Sequence, residues 1–108
     1  MTVSTHVLDA TAGRPAEGVA VSLWYLDPAG GWGNVASGET GADGRHRFTA
    51  ATERGQYRLT FGTGRYFAGR GAETFYPEVT ITFSVTSDAH YHVPLLLSPF
   101  GYSTYRGS

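Results

Sequence analysis

Three histidines in this sequence fall where strand alternation brings them to a shared or open face: His6 near one end, and His90 with His92 near the other. An imidazole near its natural pKa can take a proton from water at neutral pH and later return it to a leaving group. Three imidazoles can also hold zinc, although no carboxylate or thiolate stands at metal-ligand spacing beside these. Arg45, directly after Asp43-Gly44, offers a planar fork of donors that keeps its charge at neutral pH. Such a group can pair with carbonyl oxygens and offset the charge of an oxyanion. The run ending in Tyr105-Arg106-Gly107-Ser108 adds hydroxyls and a second guanidinium. Proton transfer beside a polarised carbonyl is the chemistry these residue types suit.

Each of these residues has a plainer reading. A lone histidine such as His6 is more often a surface or part-buried side chain than a catalyst. His90 and His92 can be a solvated pair at a strand end, and a turn followed by an arginine is a common surface element. A polar tail is ordinary at a chain terminus. Against this, His90 and His92 share their face with Leu96, and a face bearing two imidazoles and a large aliphatic side chain suggests a cleft or a subunit contact. Trp24, Trp32 and the seven tyrosines can suggest a carbohydrate-binding face, but several of them alternate inward as packing residues.

The elements that must position these groups are short strands. Val3 to Asp9 alternates, with Val3, Thr5 and Val7 on one face and Ser4, His6 and Leu8 on the other. Thr11 to Ala16 reads as a turn-rich connection. Val19 to Leu26 is a second strand, with Val19, Val21, Leu23 and Tyr25 together. Asp27-Pro-Ala-Gly-Gly turns into a strand from Trp32 to Gly38. Thr40-Gly-Ala-Asp-Gly-Arg45 is a tight turn feeding a strand from Arg45 to Thr49, where Phe48 points inward and Arg45 and Arg47 outward. Tyr57 to Phe61 is another strand. Thr63 to Ala72 is ambiguous and allows a short helix. Glu78 to Val85 follows, with Val79, Ile81, Phe83 and Val85 on one face. The final pair is His90 to Leu97 and Gly101 to Arg106, broken at Ser98-Pro99. Pro94 lacks the N–H a ladder needs, which pushes its strand toward an edge or a bulge. Tyr105 and Ser108 would fall on opposite faces of a regular strand, so the last residues are expected to curl away.

Composition bounds what these strands can build. The chain has 108 residues, 41% hydrophobic and only 16% charged, which predicts a packed core rather than disorder. A chain of this size is expected to form one domain over residues 1–108 and to bury roughly 60–70% of its unfolded surface. Fifteen glycines and five prolines between short β-type runs indicate an all-β protein, and seven or eight strands suggest a two-sheet sandwich. Lys+Arg 8 against Asp+Glu 9 gives no electrostatic case for nucleic acid or an anionic membrane. No run reaches the roughly 20 apolar residues of a membrane span. No signal-like segment opens the chain, so a cytoplasmic protein is expected, with a removed export signal as the alternative. Without cysteine, disulfides and thiolate chemistry are excluded. There is no Gly-x-Ser-x-Gly elbow, phosphate loop or dinucleotide fingerprint.

Three blocks carry a more specific signal. Ser4-Thr-His-Val-Leu-Asp9, Thr40-Gly-Ala-Asp-Gly-Arg45, and the stretch from His90-Tyr-His-Val-Pro94 to Tyr105-Arg106-Gly107-Ser108 resemble the motifs of the 5-hydroxyisourate hydrolases, enzymes related to transthyretin. The resemblance spans essentially the whole chain. It implies a transthyretin-like (prealbumin) sandwich of two four-stranded sheets and one short helix, in a pattern that also carries a proline at position 94. The implied activity is hydrolysis of 5-hydroxyisourate to 2-oxo-4-hydroxy-4-carboxy-5-ureidoimidazoline, part of urate (purine) degradation, by opening a cyclic amide. His6, Arg45, His92 and Ser108 are the implied catalytic residues, His6, Arg45 and Tyr105 touch substrate, and His90 stands behind His92. Whether water or Ser108 is the nucleophile stays open, as does which histidine is the base. No metal and no cofactor are implied, and the partner is a second copy, in a homotetramer built as a dimer of dimers with its sites in a channel between dimers. A transthyretin-like small-molecule carrier would share the fold but lack the histidines, the arginine and the Tyr-Arg-Gly-Ser ending. An adhesive or regulatory sandwich module would need no histidine cluster.

Overall fold

The computed structural model describes residues 1–51 and 53–108. Its strands are β1 (Val3–Asp9), β2 (Arg14–Pro15), β3 (Ala20–Leu26), β4 (Trp32–Glu39), β5 (Arg45–Phe48), β6 (Gly55–Phe61), β7 (Val79–Val85), β8 (Tyr91–Ser98) and β9 (Gly101–Thr104). One helix, α1 (Thr63–Ala68), links β6 to the stretch before β7. Two sheets result. One runs β4-β3-β6-β7, all antiparallel. The other runs β2-β1-β8-β9, with β5 also paired to β1. The protein is an all-β sandwich of two sheets with one short helix.

The alternation read from the sequence is what closes the sandwich. Along β1 every odd residue is buried and every even one half-buried. Val3, Val7, Leu95 and Leu97 from one sheet join Val21, Leu23, Leu59, Phe61 and Ile81 from the other in a single core. Each such aliphatic side chain contributes on the order of 1.5–3 kcal/mol by leaving water. Because one face of β1 and β8 is committed to this core, the register is fixed, and Ser4, His6 and His92 are held on the opposite face. Phe48 is buried while Arg45 and Arg47 are exposed, and Val79, Ile81 and Val85 are buried as a set.

Three differences from the sequence expectations have physical causes. The stretch Thr11 to Ala16, read as a connection, contains β2, whose two residues pair with Leu8 and Asp9. This makes nine strands rather than seven or eight, and one sheet has five strands rather than four. Two residues carry no period, so alternation could not reveal them. The ambiguous segment resolves into a helix of six residues at its start, with Tyr66 and Phe67 turned into the core. Pro94 lies neither at an edge nor in a bulge: β8 runs between β1 and β9. Its carbonyl accepts the Thr104 hydroxyl at 2.7 Å, so its nitrogen faces the same side. There β9 has ended at the Leu95–Thr104 pair, and the next contact is the Gly107 N–H donating to His92 O. The missing donor falls in that gap.

Two anchors hold the ends of these elements. Asp9 is buried and accepts the N–H groups of Thr11 and Ala12 and the hydroxyl of Tyr66, the last at 2.7 Å. This ties α1 to the end of β1. Thr40, also buried, donates to Ala16 O and accepts the N–H of Val19, which fixes the start of the turn leading to Arg45.

Candidate active site

The face of β1 turned away from the core is the floor of a cleft of about 700 Å³. His6 stands in the middle of it. Arg45 on β5 is its antiparallel partner on one side, and Pro94 on β8 its parallel partner on the other. Two residues back, Ser4 lies between Arg47 and His92 in the same way. A strand period of two therefore sets His6 and Ser4 in one row and brings arginine to one flank and imidazole to the other.

Arg45 is aimed by its turn. The Gly41 N–H donates to Arg45 O, the Gly44 N–H to Gly41 O, and the Arg45 N–H to the Asp43 carboxylate at 3.0 Å. Gly44 has φ of +77°, and a Cβ there would collide with the Val7 carbonyl. The Val7 N–H meanwhile donates to Gly44 O at 2.8 Å. Only glycine permits this approach, so Asp43-Gly44 sets the turn against β1 and Arg45 follows in register with His6.

His92 is oriented from behind. Its Nδ1 hydrogen-bonds Ser4 Oγ at 2.7 Å, and the same oxygen meets His90 Nε2 at 2.7 Å. His90 Nδ1 in turn meets the Thr2 hydroxyl. Burial, and then the positive charge of Arg45 with smaller contributions from His90 and His6, pushes the His92 pKa below its ordinary value. The imidazole therefore stays neutral, and able to accept a proton, through the neutral range.

The terminal run closes the cleft. After β9 ends at Thr104 the chain curls over, and Gly107 forms a bridge with His92. Tyr105, Gly107 and Ser108 all line the cleft, so the break from alternation puts Tyr105 and Ser108 on one side. Arg106 turns the other way, its guanidinium 4.6 Å from the Tyr91 ring centroid.

All five residues singled out in the sequence, His6, Arg45, His92, Tyr105 and Ser108, thus line one cleft. His90 sits at its rim, behind Ser4. Among the described residues no three of His, Cys, Asp or Glu are grouped to hold a metal ion, and both ring nitrogens of His90 are engaged by hydroxyls. His46 packs its ring edge-on against Phe48, 4.5 Å between centroids. On the sequence alone Ser4 shares the His6 face but has no evident task. Its one signal was its spacing of two from His6, and the bond to His92 depends on a parallel pairing that no local pattern reveals.

Comparison with known proteins shows what the chain as a whole is similar to. Residues 3–107 match the HIUase/Transthyretin family. A 5-hydroxyisourate hydrolase of Salmonella typhimurium is 44% identical over 110 residues, covering 98% of this chain and 80% of that protein. The structure of Klebsiella pneumoniae 5-hydroxyisourate hydrolase superposes with a TM-score of 0.88 at 44% identity, covering 100% of both chains. Sea bream transthyretin in complex with thyroxine superposes with a TM-score of 0.90 at 33% identity, covering 97% of this chain and 93% of that one. The chain belongs to the HIUase/transthyretin family.

Proposed function

We propose that this protein is an enzyme that hydrolyses 5-hydroxyisourate, adding water across the cyclic amide C6–N1 bond. The observation that carries the reading is the convergence of His6, Arg45 and His92 on one cleft, in a chain 44% identical to hydrolases of that name. Fold likeness alone does not choose between hydrolase and carrier, since the hydrolase and the transthyretin superpose about equally well. The side chains choose: a carrier needs no base held neutral beside a fixed guanidinium.

In this reading His92, whose lowered pKa keeps it neutral, accepts a proton from water through Nε2 as the oxygen attacks C6. Arg45 offsets the oxyanion that forms. The proton then passes to N1 as the C6–N1 bond breaks, leaving on the opened ring a carboxylic acid that gives up its own proton to solvent. His6, in register with Arg45, shares in proton transfer and substrate contact, Tyr105 bounds the substrate, and Ser108 orients His92 or the water. The reaction draws on no metal or cofactor. A homotetramer, a dimer of dimers, belongs to the same proposal: the cleft lies on an outer sheet face with Leu8 and Leu96 only half-buried beside it, a surface a second copy would cover.

Ultraviolet decay of freshly generated 5-hydroxyisourate, with and without protein, tests the reading. Faster decay at micromolar protein is expected, with uric acid untouched. An unchanged decay would return the carrier to first place.

A further inference from the structure

On the reading that this cleft hydrolyses a cyclic amide, we propose that Ser4 is a positioning residue for the reaction: its hydroxyl, held between His90 and His92, fixes His92 in the tautomer whose Nε2 lone pair faces the cleft, with His90 as the far end of a proton relay.

The geometry limits the options. Ser4 Oγ lies 2.7 Å from His92 Nδ1 and 2.7 Å from His90 Nε2. A hydroxyl has one proton and can donate to only one of two nitrogens, so at least one of them must itself carry hydrogen. In one coherent setting His92 Nδ1–H donates to Ser4, Ser4 donates to His90 Nε2, and His90 Nδ1–H donates to Thr2. In the other every arrow reverses, and His92 shows the cleft an N–H instead of a lone pair. The charge of Arg45 breaks the tie. Arg45 and His92 line the same cleft, and a fixed positive charge there favours a lone pair over an N–H turned toward it, which puts the ring proton on Nδ1.

The row has a second use. When His92 Nε2 takes the proton from water, the Nδ1 proton can move to Ser4 Oγ as the Ser4 proton moves to His90 Nε2. Every bond broken along the row is matched by one formed, and the positive charge ends on His90. That residue is exposed and stands one step further along the sheet from the His6–Arg45 pair than His92 does. The reverse passage restores a proton to the cleft for the leaving nitrogen. No other hydroxyl is hydrogen-bonded to His92 among the described residues.

The test compares wild type, Ser4→Ala and Ser4→Thr by nitrogen-15 imidazole spectra at neutral pH and by decay kinetics. Wild type and Ser4→Thr are expected to show His92 as the Nδ1–H tautomer with similar kcat. Ser4→Ala should gain the Nε2–H form and lose about tenfold or more in kcat, the scale of a misdirected acid–base group, with KM little changed. A wild-type His92 carrying its proton on Nε2 overturns the proposal, as does a Ser4→Ala variant that keeps either the tautomer or the kcat. The spectra need no substrate. A chain that shows the tautomer but does not speed the decay would therefore sink the hydrolase reading alone.

Discussion

Gly107 lies so close over the His92 imidazole that a Cβ added to it would overlap the ring edge, standing 3.1 Å from His92 Cγ and 3.2 Å from Pro94 Cγ. The glycine is needed for what it lacks. Its N–H donates to His92 O at 2.9 Å, so the terminal run is pinned to the strand that carries the proposed base.

Gly107→Ala is therefore expected to push either the tail or the imidazole aside. Displacements near an ångström at a reacting group cost about a hundredfold in rate, and kcat/KM for the decay should fall on that scale. The melting temperature should move little, since the run after Thr104 supplies none of the buried core side chains. A variant with wild-type kcat/KM would show that the approach has no bearing on catalysis.

The pH dependence follows from His92. Burial, then Arg45, then His90 and His6, hold its pKa below the ordinary 6.5. The neutral ring is the active form of a base, so a lowered pKa extends activity to lower pH. The acid limb of the kcat/KM profile should lie below pH 6.5. Arg45→Ala removes one repelling charge and should shift that limb upward while lowering the plateau about a hundredfold or more. An acid limb that stays fixed in Arg45→Ala would contradict the electrostatic account.

Much of this site is legible in the sequence. Strict alternation along Val3–Asp9, and the spacing of two between His90 and His92, separate the core faces from the faces that carry His6 and His92, because burial on one side commits the other. The turn before Arg45 is equally legible, since Asp-Gly at a tight turn demands a positive φ. What stayed hidden is non-local. That β1 and β8 run parallel, placing Ser4 beside His92, is a relation between residues 88 apart in sequence. Local periodicity says nothing about it. The two-residue strand at Arg14–Pro15 and the gap that accepts Pro94 are hidden for the same reason: each is defined by a neighbour.

His46 also lines the cleft, but its ring is committed to packing, so it should separate stability from catalysis. Its ring sits edge-on to Phe48 and directly over Gly38, where any Cβ would strike it. His46→Ala should lower the melting temperature by several degrees, on the scale of about 1 kcal/mol for an aromatic contact, and leave kcat/KM within about threefold of wild type. His92→Ala should do the reverse, with a loss of at least about a hundredfold and little change in melting. Equal losses of activity in the two variants would overturn the assignment of roles.

Acid should unfold the protein partly through Asp9. Burial works to raise its carboxyl, but the N–H of Ala12, the Tyr66 hydroxyl, the N–H of Thr11 and the charge of Arg70 outweigh it, so its pKa ends below the ordinary 3.8. A carboxylate depressed in the folded state adds stability above the unfolded pKa, and that stability is lost as pH falls through the folded value. Tyr66 stays a donor throughout, its own pKa pushed up to about 12 by burial and by the bond to Asp9. Tyr66→Phe leaves a buried carboxylate oxygen without that partner, at a cost of about 1–3 kcal/mol. For a domain of this size the melting temperature should drop by about 5 °C or more. The same change weakens the preference for ionised Asp9, so the midpoint of acid unfolding should rise. Thermal melts of wild type and Tyr66→Phe at neutral pH and across the acid range separate the two effects. An acid midpoint that does not move would mean that Asp9 is held by its backbone N–H groups alone.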